Sequence, residues 1–166
     1  MMDNAGRTGQ ISFEQERGVA AVETQTGFTQ VLVEFGQCPS VTNATLNLLK
    51  ALREEDISVD LLKLGDEGIS FVVVDEAITS VSSAVSPFKY DVKLNPGRAL
   101  VSIVAANMRE MVGVMAIVAE CCNKVGANVE QTGDAHDRVT ILTDAHKLGP
   151  VVTALKEAFG IVEAAR

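Results

Sequence analysis

Apolar residues along this chain recur in two periods, and the switches between them mark out its elements. From Phe28 to Phe35, Val31, Val33 and Phe35 share one side of a period-two pattern, which predicts a strand. A polar loop at Gly36–Ser40 follows, in which Pro39 and Ser40 signal a helix start. Val41, Ala44, Leu48 and Leu52 then recur at helical spacing and predict an amphipathic helix with one core-facing stripe. Two strands are predicted over Ile57–Leu64 and Gly68–Val74, around a turn at Gly65–Gly68. A short helix over Glu76–Val85 and a strand over Phe88–Leu94 complete the series.

The same series then runs again. Leu100–Ala106 reads as a strand, and Val114, Ile117, Val118, Cys121 and Val125 as the stripe of a helix. Asn128–Gln131 and Arg138–Thr143 read as strands, Lys147–Phe159 as a helix, and Ile161–Ala164 as a last strand. The stretch ISVD at Ile57–Asp60 stands seventy positions before ANVE at Ala127–Glu130, and ISFV at Ile69–Val72 stands seventy before VTIL at Val139–Leu142. A fixed offset held through two strands and their turn indicates a duplicated unit.

Each copy has the order βαββαβ, the split βαβ or ferredoxin-like arrangement, in which an antiparallel sheet carries two helices on one face. The fold class expected is therefore α+β, with two such units. A unit of about 70 residues buries only about 60% of the surface its unfolded chain exposes. Two units lend each other a wall by covering the faces their helices leave bare. The organisation expected is a flexible tail over 1–17, a first unit over 18–96 and a second over 97–166. The first unit includes an extra leading strand within Ile11–Thr24, and the pattern leaves open which unit that strand pairs with.

Composition narrows the function classes. Of 166 residues 47% are hydrophobic but only 4% aromatic, so the core is built from Val, Leu, Ile, Ala and Met. Acidic residues number 22 against 14 basic ones, a formal net charge of −8, with no compensating basic cluster. That balance repels nucleic-acid backbones and anionic membrane surfaces. No run approaches the roughly 18 apolar residues of a membrane span, and the opening MMDNAGRTGQ lacks the apolar core of a signal peptide. The three cysteines, Cys38, Cys121 and Cys122, are odd in number and two are adjacent, which makes no disulfide framework. A reducing cytoplasm is the expected location.

The duplicated unit resembles the ACT domain, a βαββαβ module that senses small molecules, and the likeness narrows further. GVAAVETQTGFTQVLVEF, Gly18 to Phe35, is similar to the opening strands of the aspartokinase regulatory region. ISVDLLKL and GISFVVVDE are similar to the middle of its first ACT unit, and LVSIVAANMREMVGVMAIVAECCNKVGANVE to the start of its second. ALKEAF is similar to its last helix. The likeness runs from about Gly18 to Phe159 and includes nothing of the family's kinase domain. It implies an allosteric sensor, not itself an enzyme and without a cofactor, that binds threonine or lysine for an aspartokinase of aspartate-family biosynthesis. A homodimer through the ACT units, and an aspartokinase catalytic domain or subunit as partner, are implied with it. Where the family often has an aspartate before a Pro-Gly pair, Gln37 and Ser40 stand at the aspartate's and the glycine's positions. Leu64 falls where a glutamine often helps hold the effector, whereas Asn128 matches an effector-contacting asparagine.

The chemistry of such a site follows from its ligand. A free amino acid carries a carboxylate and an ammonium close together, and needs N–H donors at one end and oxygen acceptors at the other. The first N–H groups of a helix after Ser40, around Val41 and Thr42, lack intrahelical acceptors and sit at the positive end of the helix dipole. The candidate ligand-binding set is Gln37, Ser40, Val41 and Thr42 from the first unit, with Asn43 nearby, and Asn128, Val129 and Glu130 from the second. Asp60 and Glu130 occupy equivalent places in the two copies and would supply negative charge. The loop also reads as plain chain reversal, since Ser40 is a good cap for its own helix.

Other constellations are weaker. Cys121 and Cys122 with His136 and His146 match no zinc spacing, and Cys121 lies on the core stripe. A Cys38–His nucleophile lacks an orienting carboxylate, GDEG at Gly65–Gly68 is a turn, and REED at Arg53–Asp56 is a solvated helix end. Two rival readings stand beside the sensor: a ligand-free assembly module, and a small enzyme on a ferredoxin-like frame that would use His136 and His146.

Overall fold

The computed structural model describes residues 18–161. The expected tail, residues 11–17 of the leading segment and the last strand beyond Ile161 lie outside the described residues. In chain order the elements are β1 (Val19–Glu34), α1 (Val41–Glu54), β2 (Asp60–Leu64), β3 (Gly68–Val74), α2 (Ile78–Val85), β4 (Asp91–Ala105), α3 (Val114–Lys124), β5 (Gln131–Asp134), β6 (Arg138–Asp144) and α4 (Leu148–Phe159). Short 3-10 turns occupy Asp75–Ala77, Met108–Glu110 and Ala145–Lys147. β3 and β6 begin and end seventy positions apart, as do the turns that follow them, and α2 and α4 begin seventy apart. The duplication read in the sequence is a duplication of structure.

All six strands join one antiparallel sheet in the order β2-β3-β1-β4-β6-β5. β1 and β4 are long because each serves both units. Phe28–Glu34 of β1 pairs with β3 on one side and with the first part of β4 on the other. Val19–Thr26 pairs with Ala99–Ala105 of β4, so the leading strand forms the edge of the second unit's sheet. Two strands expected at Phe88–Leu94 and Leu100–Ala106 are one strand that runs through Asn95, Pro96 and Gly97. Gly27 and Gly97 both take left-handed backbone here (φ 83° and 70°), and the ladder shifts register on either side of Phe28. The ribbon bends at these glycines and bulges instead of breaking.

β2 and β5 start later than the pattern implied, at Asp60 and Gln131. Each follows a helix closed by a left-handed residue, Asp56 (φ 56°) after α1 and Gly126 (φ 68°) after α3. The next N–H, of Ile57 or Ala127, bonds back to the carbonyl of Leu52 or Cys122 at 3.0 and 2.9 Å. Ile57 and Val59 then pack on the first core before the chain enters its ladder.

Three apolar clusters follow from this topology. α1 and α2 cover Val31, Val33, Phe35, Ile69, Phe71 and Val73 with Ala44, Leu48, Leu52 and Val81. α3 and α4 cover Val101, Ile103, Ala105, Val139 and Ile141 with Val114, Val118, Cys122 and Val151. Buried positions of one cluster recur seventy residues on in the other, as in Leu48 and Val118 or Phe71 and Ile141. Burying a side chain of this size contributes about 1.5–3 kcal/mol. The third cluster, Phe28, Val72, Leu100 and Leu142 with Leu61 against it, lies where the helix-free faces of the two units meet.

Candidate functional site

The first half of the candidate site is the start of α1. β1 ends at Glu34, the Phe35 N–H donates to the Glu67 carbonyl at 2.9 Å, and the chain turns at Gly36 in left-handed backbone (φ 62°). Ser40 is extended (φ −154°, ψ 110°), and its hydroxyl accepts the Asn43 N–H at 3.3 Å. Its carbonyl accepts the Ala44 N–H at 3.0 Å. Ser40 therefore serves as the helix cap, while the N–H groups of Val41 and Thr42 have no acceptor inside the helix. Gln37 and Thr42 are exposed, and Ser40 and Val41 half-buried. Beside this loop Tyr90 stacks on Phe88 (centroids 5.0 Å, planes 5° apart) and meets Phe35 edge-on at 4.9 Å. Burial, and then the nearby Cys38, push the Tyr90 hydroxyl above its ordinary range.

The second half lies just ahead of β5. Asn128 is exposed, Val129 packs against the second core, and the Glu130 N–H donates to the Leu142 carbonyl at 2.9 Å. The Glu130 carboxylate is engaged within the chain: Oε2 stands 2.6 Å from Arg98 Nε, with Asp144 at 4.0 Å from the same guanidinium. Neither Arg98 Nε nor that Glu130 oxygen makes a hydrogen bond of good geometry, so the contact is ionic. Asp60, the counterpart of Glu130, is exposed at the start of β2, and Leu64 is 62% exposed at its end.

Each group is thus assembled locally, and no hydrogen bond or ion pair among the described residues joins the two. Asn128–Glu130 adjoin Gln131, which touches Gln30 of β1. The helix start follows Glu34, four residues or about 13 Å further along that strand. Clefts among the described residues include one of 490 Å³ against Leu32, Lys63 and the Gly65–Gly68 turn, and one of 280 Å³ among Met108, Met111, Met115 and Asp134. Two more flank α4 and the end of α1. None of the four is lined by Gln37, Ser40 or Asn128.

The remaining candidates resolve simply. Cys121 and Cys122 are buried, their thiols pushed above the ordinary range chiefly by burial, and Cys121 Sγ lies 3.5 Å from the Ala154 carbonyl. His136 precedes β6 and His146 follows it, so a strand of about 20 Å separates them. Sequence reasoning missed a polar set between the units: Gln30 and Gln131, which are buried, and Asn95 and Arg98, which are half-buried. Its signal was available, since Gln131 and Arg98 stand seventy positions after the apolar Leu61 and Phe28.

No family model matches the chain. It is 25% identical over 142 residues to aspartokinase 1 of Bacillus subtilis (strain 168), covering 86% of this chain and 34% of that protein. Its structure superposes on the ligand-free regulatory subunit of aspartate kinase from Thermus thermophilus with a TM-score of 0.78 and 22% identity, over 86% of this chain and 99% of that one. The chain has the fold of an aspartate kinase regulatory subunit. Two ferredoxin-like units, the fold class expected from the sequence, make up the described part of it. Escherichia coli aspartokinase III in complex with lysine and aspartate matches with a TM-score of 0.62 and 14% identity, over 86% of this chain and 33% of that one. The chain spans about a third of the length of the curated relatives it matches. No helix among the described residues is long and apolar enough to cross a membrane.

Proposed function

We propose that the chain is a non-catalytic regulatory module that binds a small amino acid, of the threonine or lysine class, and biases an aspartokinase-like catalytic domain or subunit in the reducing cytoplasm. The observation that carries this reading is the match to nearly the whole of a regulatory subunit of aspartate kinase. The E. coli relative solved with lysine supports the ligand class. The α1 start of one chain would meet Asn128 and Val129 of a second chain, since within one chain no hydrogen bond joins them among the described residues. Val41 and Thr42 N–H groups would take the effector carboxylate, Gln37 and Thr42 its polar groups, and Asn128 the ammonium or side chain. Glu130, already facing Arg98, would contribute through that pair. Binding then favours one packing of the units because the ligand has different affinity for the alternatives.

The test is a thermal-shift screen against the twenty amino acids and the intermediates of lysine biosynthesis. A ligand present at a hundred times its Kd stabilises by about 2.7 kcal/mol, a shift of several degrees. If no compound at millimolar concentration raises the melting temperature, the reading fails and a ligand-free assembly module takes its place.

A further inference from the structure

The helix-free faces of the two units meet through a series of side-chain amides. Asn95 Nδ2 of β4 donates to Gln30 Oε1 of β1 at 3.0 Å. Gln30 Nε2 donates in turn to Gln131 Oε1 of β5, also at 3.0 Å. Gln131 Nε2 donates to the Leu61 carbonyl of β2, with the Ser70 carbonyl at 3.5 Å. Gln30 and Gln131 are 5% and 6% exposed. The series thus crosses four strands and joins the two outermost members of the sheet, β2 and β5, which are not ladder partners.

The far end of the series is conformationally unusual. Leu61 holds a positive φ of 47°, and the β2–β3 register shifts around it, between Asp60 and Lys63. A leucine in left-handed backbone is disfavoured and persists where its surroundings hold it. Two features hold this one. Its carbonyl takes the Gln131 amide, and its side chain lies over Gly133, where an added Cβ would stand 2.6 Å from Leu61 Cδ2. Gln131 occupies the place in the second unit that Leu61 occupies in the first. A leucine therefore suits that position in size, but would leave the Leu61 carbonyl and the Gln30 amide without this partner.

Position gives the series its consequence. Asp60 immediately precedes Leu61, and Asn128–Glu130 immediately precede Gln131. We propose that Gln131 is a positioning residue that clamps β5 to the bulge of β2, so that displacement at Asn128–Glu130 in the second unit is passed to Asp60–Leu61 in the first. The clamp stands on geometry alone, and the passing of displacement rests on the sensing function proposed above.

Hydrogen exchange read by mass spectrometry on the full chain tests both parts. In the ligand-free protein, Gln131→Leu is expected to speed exchange over 60–64 by about tenfold, the effect of losing the bond that Gln131 gives to Leu61, with α1 and α4 unchanged. An unchanged rate over 60–64, or one factor across the whole chain, overturns the clamp. Should Gln131→Leu lose its cooperative fold, Gln131→Met decides by the same criterion, because it keeps the length of the side chain and removes its amide. With lysine or threonine at millimolar concentration, protection at 128–130 should be accompanied by protection at 60–64 in the parent and not in Gln131→Leu. Protection at 60–64 that persists in the variant overturns the relay. If neither amino acid protects 128–130, the sensing function is in error, while the ligand-free rates still decide the clamp.

Discussion

At the start of α1 a side chain closes the helix, and at the start of α3 the backbone does. Ser40 reaches back to the Asn43 N–H after a loop containing a proline. Gly113 takes left-handed backbone (φ 82°) after the Met108–Glu110 turn and offers no side chain. The surroundings differ as well: exposed Gln37 and Thr42 stand at the first start, and Met111, Met115 and a fully exposed Val112 at the second. Yet the positions that face the sheet from both helices, Ala44, Leu48 and Leu52 against Val114, Val118 and Cys122, are buried in both. A repeat is held to its fold by the residues between helix and sheet, and the helix starts are left free to acquire different chemistry.

The deepest test of that comparison is in the two cores. Phe71→Ala and its counterpart Ile141→Ala, both at fully buried positions, should each cost about 2–5 kcal/mol in urea unfolding. Because β1 and β4 run through both units, each variant should lower one common transition. A second transition left untouched by Phe71→Ala would show that the units unfold separately. The helix starts should give smaller effects of different origin. Ser40→Ala should cost about 1 kcal/mol and Ser40→Gly a few tenths, through the lost cap. Gly113→Ala should cost about 1–2 kcal/mol, because the left-handed backbone penalises any Cβ. Equal tolerance of alanine at both starts, read by the same unfolding curves, would erase the distinction between them.

Much of this fold was legible because burial imposes a period. The stripe Val41, Ala44, Leu48, Leu52 names the inner face of α1, and the seventy-residue offset names the second copy. What escaped depends on long-range pairing. The leading strand carries an alternation that fits either unit, and only its ladder with Ala99–Ala105 assigns it. Asn95–Gly97 looked like a break because proline and glycine usually interrupt strands, whereas here they sit at a bend in a strand that continues. The site was less legible. Sequence placed Ser40 at a helix start, and the structure gives it the capping bond. The engagement of Glu130 by Arg98 came from residues thirty-two positions apart, beyond the reach of any local pattern.

The central claim is that an amino acid binds through Asn128 to an otherwise sound protein. Isothermal titration of the full chain and of Asn128→Ala with the amino acid that gives the largest thermal shift tests it most directly. The account predicts a Kd between about 1 μM and 1 mM for the parent and no measurable heat for the variant, with the unfolding curve of the variant unchanged. Equal affinity in both proteins would contradict it.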